Sequence, residues 1–279
     1  MTVSRTPDYS EQRKITPDEL SEGFERLGLR EGDSVVMHAS LESVGDVDGG
    51  AAMVLHRLLR VLGKGGTLLM PSFTSITRHS NTHDGHTKPG CWCEGREDRH
   101  LPFIPELQPD KTIGEIAKRL CSWPASRRSG HPAYSFVAVG KHGHELVRDY
   151  SLDDPLLPIK RLLKYDPRVL TVGVGFDLVT AIHVAEQLRL FVKFARERAL
   201  TFTSRGPAWV DITALGCSNG FQKLGSQLGD SESKGTKIGL VTSQVYSMKN
   251  LIERADSLLE ERPTALLCDN SVCLSCSAV

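Results

Sequence analysis

The 279-residue sequence lacks an excess of charge of either sign, a long apolar run, an internal repeat and a visible linker between domains. Lys and Arg together number 34, and so do Asp and Glu, so no net field is present to recruit a nucleic acid or an anionic membrane. No stretch approaches the roughly 18 consecutive apolar residues needed to cross a bilayer, and no membrane partner is expected. Met1 to Arg5 lack the apolar core of a secretion signal, so the chain is expected to be soluble and cytoplasmic. Seven cysteines, an odd number in scattered positions, suit thiols in a reducing compartment better than a disulfide framework. What the chain does have is length enough to bury a full core as one large domain.

Residues 1–15 are polar and read as a flexible arm. Thr16-Pro17-Asp18-Glu19 is a capping box with Pro at the first helical position, which predicts a helix ending near Gly28. Ser34 to Met37 is an apolar run of strand type, Gly49-Gly50 opens a helix with a broad apolar face from Met53 to Leu62, and Thr67 to Met70 is a second strand. A strand–helix–strand unit results. Residues 71–111 break this periodicity, and 79–110 within them read as an insertion. Beyond it come a helix at 112–121, a strand at 136–139, a helix at 158–165, an apolar strand at 169–175, a helix at 181–194, a β region at 199–212, a strand at 236–242 and a helix at 247–261. The expected class is α/β, a central mixed sheet flanked by helices. The organisation expected is an arm at 1–15, a catalytic domain at 16–262 and a tail at 263–279.

Two glycine motifs fail as phosphate loops. Gly173-Val174-Gly175 has Leu178 where a third glycine would complete a dinucleotide fingerprint, and Gly63-Lys64-Gly65-Gly66-Thr67 lacks the Walker spacing and precedes a strand. Gly173 to Glu186 carries more chemistry. His183 and Glu186 are three apart on the expected helix, so imidazole and carboxylate share a face, and a first-turn histidine is held neutral by the helix dipole, as a general base requires.

His38-Ala39-Ser40-Leu41 with Gly45 and Gly49-Gly50, then Gly66 through Thr74, then His131 through Gly140, then Gly173-Val174-Gly175 through His183-Val184-Ala185-Glu186 occur in that order. Together they resemble the aminoglycoside 3-N-acetyltransferase family across about residues 16–262. The resemblance implies an acyltransferase that carries acetyl from acetyl-coenzyme A to a small-molecule amine acceptor, with His183 and Glu186 as base and partner and Thr180 donating to the developing oxyanion. It implies a cofactor loop at His38, Ser40, Leu41, Val44 and Gly45, with Ser72, Thr74, Arg128, Ser135 and Phe136 also on the cofactor side. His131, Tyr134 and Asp177 fall on the acceptor side. The small residues from Ser40 to Gly50 also make sense as a phosphate cradle of exposed backbone N–H groups, which predicts that Gly45→Val crowds the pyrophosphate. A homo-oligomer is compatible with this reading.

Departures bear on the acceptor. Relatives acting on polycationic sugars resemble one another in carrying several carboxylates between the late strands, whereas Asp211 to Gly225 holds one, and Tyr134 replaces a histidine common in the family. A less cationic acceptor is expected. The insertion offers His79, His83, His86, Cys91, Cys93 and His100, but the spacing matches no usual zinc pattern, and a lid over the acceptor is expected. Cys268, Cys273 and Cys276 lie in a tail expected to be disordered, and no metal is assigned. Competing readings are an idle coenzyme A-binding protein of the same fold, an N-acyltransferase for a non-antibiotic amine, and a metal hydrolase built on the insertion.

Overall fold

The computed structural model describes residues 13–79, 100–189, 196–229 and 231–277. His83, His86, Cys91 and Cys93, like the last residues of the helix expected at 181–194, lie outside them. The chain enters through α1 (Pro17–Arg26), where the capping box forms as expected: the Thr16 backbone N–H donates to Glu19 at 2.8 Å and the Glu19 N–H donates to the Thr16 hydroxyl at 3.3 Å. Strand β1 (Ser34–Ala39), a single turn α2 (Leu41–Val44), helix α3 (Gly50–Leu62) and strand β2 (Thr67–Pro71) follow. The short strand β3 (Arg78–His79) precedes α4 (Glu115–Cys121), β4 (Arg127–Arg128), β5 (Phe136–Gly140), α5 (Gly143–Val147), α6 (Leu157–Leu162) and β6 (Arg168–Val172). A 3₁₀ turn at Thr180–Ile182 runs into α7 (His183–Arg189), followed by β7 (Arg196–Thr203), β8 (Gly206–Thr213), α8 (Gln222–Gly225), β9 (Ser233–Ile238), β10 (Val241–Ser247), α9 (Met248–Glu261) and α10 (Leu274–Ser277).

Among the described residues, seven strands form a mixed sheet in the order β4-β5-β2-β1-β6-β10-β9, with β1 parallel to both β2 and β6 and the flanking strands antiparallel. Side chains alternate across the pleat. Val35 and Met37 of β1 and Leu68 and Met70 of β2 enter a core with α1, α3 and α4, while Val36, Leu69 and Val169 face the opposite core with α6, α7 and α9. Helices therefore cover both faces, as a sheet with a parallel centre requires. Strands β3, β7 and β8 form a separate antiparallel sheet, packed through Ala199, Ile212, Ala133 and Tyr134.

One expectation at the late edge needs correction. The single strand at 236–242 is instead a hairpin of β9 and β10 that turns at Gly239, whose φ is +61°. The apolar residues on either side of that glycine, Ile238, Leu240 and Val241, look continuous in the sequence and conceal the reversal. The described part of the C-terminal tail, residues 263–277, is folded rather than disordered. Leu266 is buried in the main core, and Lys223 donates to the Leu267 carbonyl at 2.7 Å and pairs with Asp269 at 2.6 Å.

Candidate active site

In an open sheet with parallel strands, ligands bind beyond the strand ends where the chain leaves in opposite directions. Here β1 has β2 on one side and β6 on the other, and a cleft of about 710 Å³ opens at the carboxyl ends of β1 and β2. That volume suits a small-molecule site. His38, Ser40 and Leu41 line it from the β1 exit, Tyr134 from the segment before β5, and Asp177, Thr180 and His183 from the segment after β6. Seven of the residues singled out from sequence thus meet at one cleft.

His183 is placed by the 3₁₀ turn that delivers it as the first residue of α7. Its Nδ1 lies 2.5 Å from Glu186 Oε2, and both side chains are buried. An ionised carboxylate only accepts hydrogen bonds, so this contact puts a proton on Nδ1, and in the neutral ring the lone pair is on Nε2. The edge of Phe221 packs on the imidazole, ring centroids 4.8 Å apart, and restrains its tilt. Thr180 is buried beside it, its hydroxyl 3.5 Å from the Leu178 carbonyl, at the outer limit of a hydrogen bond.

His38, on the other wall, is pushed down to about 4 by burial and so is neutral at ordinary pH. Its Nε2 is buried without a protein partner. A polar atom in that condition normally has a partner from outside the chain, which fits a ligand entering along β1.

The loop from Ser40 to Gly50 is less open than its composition suggests. The Ser40 hydroxyl caps α2 by accepting from Ser43 N–H at 3.1 Å, and the N–H groups of Val44, Gly45, Asp48 and Gly50 all donate to backbone carbonyls. Only its first part, Ser40 to Glu42, borders the cleft. Val44 is core, and Gly45 has φ +108° with Leu240 and Ile15 packed where a side chain would start. A Gly45→Val change thus strikes packing and backbone conformation rather than a pyrophosphate.

Ser72, Thr74, Arg128 and Ser135 come together away from the cleft wall. Arg128 donates to Ser72 Oγ at 3.1 Å, Ser135 Oγ at 3.0 Å, Thr74 Oγ1 at 2.6 Å and the Pro105 carbonyl at 3.2 Å, and also reaches the Leu107 carbonyl. This clamp ties β2 and β4 to the last part of the insertion, around Pro105 and Leu107, and the four side chains hydrogen-bond one another within it. Phe136 is fully buried in the core. His131 is buried, and its Nδ1 accepts from the N–H groups of Ala133 and Tyr134, which places the ring as a turn support.

Sequence reasoning missed Arg78 and Glu197. Arg78 lines the cleft, donates to the Tyr134 hydroxyl at 2.5 Å and pairs with Glu197 at 3.2 Å, while Tyr134 donates to Glu197 at 3.3 Å. Burial, with Glu197 adding to it, pushes the Tyr134 phenol up to about 12 despite Arg78, so it stays protonated. No local signal points to this triad, because its members are 56 and 63 residues apart.

A strand-end cleft with a buried histidine–glutamate pair can take a proton from a bound molecule, which is the equipment of a small-molecule enzyme. The sequence model of the aminoglycoside 3-N-acetyltransferase family matches residues 36–260. The aminoglycoside N(3')-acetyltransferase-like protein YokD of Bacillus subtilis is 28% identical over 247 residues, covering 86% of this chain and 91% of that one. Aminoglycoside N(3)-acetyltransferase IX of Micromonospora chalcea is 32% identical over 178 residues, so the matched region spans 62% of each chain. Among solved structures, aminoglycoside acetyltransferase AAC(3)-IVa superposes with a TM-score of 0.80 at 24% identity, covering 96% of this chain and 98% of that one. The chain belongs to the aminoglycoside 3-N-acetyltransferase family and is an acyltransferase.

Among the described residues no helix is long and apolar enough to cross a membrane.

Proposed function

We propose that the protein transfers acetyl from acetyl-coenzyme A to an amine of an aminoglycoside or a related small molecule, by direct attack assisted by His183. The observation that carries this is the buried His183–Glu186 pair opening on the cleft. An amine that arrives as ammonium must lose a proton before its lone pair can attack, and Nε2 of His183 is the nitrogen left to receive it. Glu186 stabilises the resulting imidazolium, and Thr180 is beside it to donate to an oxygen that gains charge.

The cofactor fits the chain through the unpartnered His38 Nε2 and the Ser40 to Glu42 rim. Acetyl-coenzyme A would supply the acetyl group as an activated thioester. A solved protein of the same fold, 22% identical, is described as binary with CoASH; that ligand is that protein's and motivates the choice here. A covalent cysteine route is disfavoured, because neither Cys121 nor Cys217 lines the cleft and burial pushes the Cys121 thiol up.

Charge in the cleft favours an acceptor of modest cationic character. Glu42, Glu115 and Asp177 face it, but Glu115 is already paired with Lys118 at 2.7 Å, as Arg78 is with Glu197 at 3.2 Å, and Lys111 faces it too. A tri- or tetracationic sugar would find little uncompensated negative charge. The test is initial-rate kinetics of coenzyme A thiol release with a panel running from monoamines to kanamycin-like and paromomycin-like compounds. The expected result is intersecting double-reciprocal lines and higher kcat/KM for the less charged acceptors. Ping-pong kinetics, or binding of acetyl-coenzyme A with no turnover of any amine, would refute the mechanism.

A further inference from the structure

Outside the cleft, four cysteines converge from two separate parts of the chain. Cys217 lies on the loop after β8, and Cys268, Cys273 and Cys276 lie in the C-terminal tail. All four sulfur atoms are within 4.8 Å of one another, and the four are thiols rather than disulfides. Four thiolates around zinc, with bonds of about 2.3 Å, form a tetrahedron with edges of about 3.8 Å. The cluster is already close to that size, so closing it on an ion needs only small side-chain movements.

The tail backbone is folded around these sulfurs. The Cys276 N–H donates to the Cys273 carbonyl at 3.1 Å, so Cys273-Leu274-Ser275-Cys276 is a tight two-residue-spaced knuckle. The Cys273 N–H donates to the Asn270 carbonyl at 3.0 Å, and Asn270 Oδ1 accepts from Val272 N–H at 3.1 Å. The Cys268 N–H points at Cys276 Sγ, 3.4 Å away. Backbone N–H groups aimed at sulfur support thiolate ligands.

Thiols are weak donors and acceptors, so four of them gathered at the protein edge gain little from one another as thiols. An apolar use is also a poor account, because three of the four are only half-buried. We propose that Cys217, Cys268, Cys273 and Cys276 bind one zinc ion as a closed structural site. Binding replaces four S–H bonds by four Zn–S bonds and releases four protons to the buffer.

The site would join the tail to a wall of the cleft. Gly216 and Ser218, on either side of Cys217, both line the cleft, and Phe221 three residues further on holds His183. The same junction is tight elsewhere: a Cβ on Gly220 would lie 2.1 Å from the Leu266 carbonyl oxygen.

The test is on the full chain purified under reducing conditions without an affinity metal. Elemental analysis should find about one zinc per chain, and titration of thiols with a mercurial in the presence of a metallochromic dye should release it as cluster sulfurs are blocked. The Cys273→Ser/Cys276→Ser double variant should lose the zinc, whereas Cys121→Ser, outside the cluster, should keep it. Because the double variant could unfold, cobalt(II) is also added to metal-depleted wild-type protein, where strong tetrahedral sulfur-to-cobalt bands are expected. The proposal is overturned if the wild-type protein binds neither zinc nor cobalt at about one per chain. It is equally overturned if mass spectrometry shows disulfides among these cysteines, or if a folded double variant retains its zinc. None of these readouts depends on acetyltransferase activity.

Discussion

Replacing Glu186 by Gln tests the division of labour in the dyad while keeping its shape. The two side chains are 4% and 3% exposed, so no water takes the place of the carboxylate. Gln offers Nδ1 either a neutral carbonyl, which keeps the tautomer, or an NH₂ group, which forces the proton onto Nε2 and disables the base. In the first case a hydrogen bond to a charged group, worth about 1.5–3 kcal/mol, becomes a neutral one of about 0.5–1.5 kcal/mol. The loss of roughly 1–2 kcal/mol corresponds to about 5- to 30-fold in kcat/KM. Removing the base outright in His183→Ala should cost about 10²–10⁴-fold. Coenzyme A thiol release with saturating acetyl-coenzyme A measures both, and calorimetry should show cofactor affinity unchanged. An order other than wild type above Glu186→Gln above His183→Ala would refute the reasoning. Near-full activity in His183→Ala would remove the base altogether.

Two further outcomes follow, one from buried histidines and one from a strained backbone position. Burial lowers His38 and His131 from 6.5 to about 4, so between those values the unfolded chain binds the extra protons and stability is lost as pH falls; urea unfolding should show a decrease on the order of 2 kcal/mol per histidine from pH 7 to pH 5. His38→Gln should remove its share of that slope, and an unchanged slope would count against the neutral, buried assignment. Gly45→Val places a β-branched residue at φ +108° against Leu240 and Ile15, so it should destabilise the fold by at least about 1–3 kcal/mol while acetyl-coenzyme A affinity in the folded fraction is kept; the reverse pattern would restore Gly45 to the cofactor site.

What the sequence determined by itself is local. Thr16 and Glu19 close a capping box because three residues span one helical turn, and the same spacing brings Glu186 to His183. The apolar runs expected as strands at 34–37, 67–70 and 169–175 fall on the buried strands β1, β2 and β6, because side chains that are apolar on both faces of a pleat belong between two layers of helix. Tertiary structure decided the rest, where the relevant partners are far apart in the chain. Whether Arg128 faces a cofactor or clamps Ser72, Thr74 and Ser135 depends on how β4 is laid beside β5, which no spacing encodes. Arg78, Tyr134 and Glu197 meet only because β3 and β7 pair in a separate small sheet that packs against the segment before β5. Cys217 and Cys268 are separated by the β9–β10 hairpin and all of α9, and read singly each is an ordinary thiol. Their meeting is fixed by the packing of Leu266 into the core and of the tail backbone against Gly220, a close approach that the folded chain path alone creates.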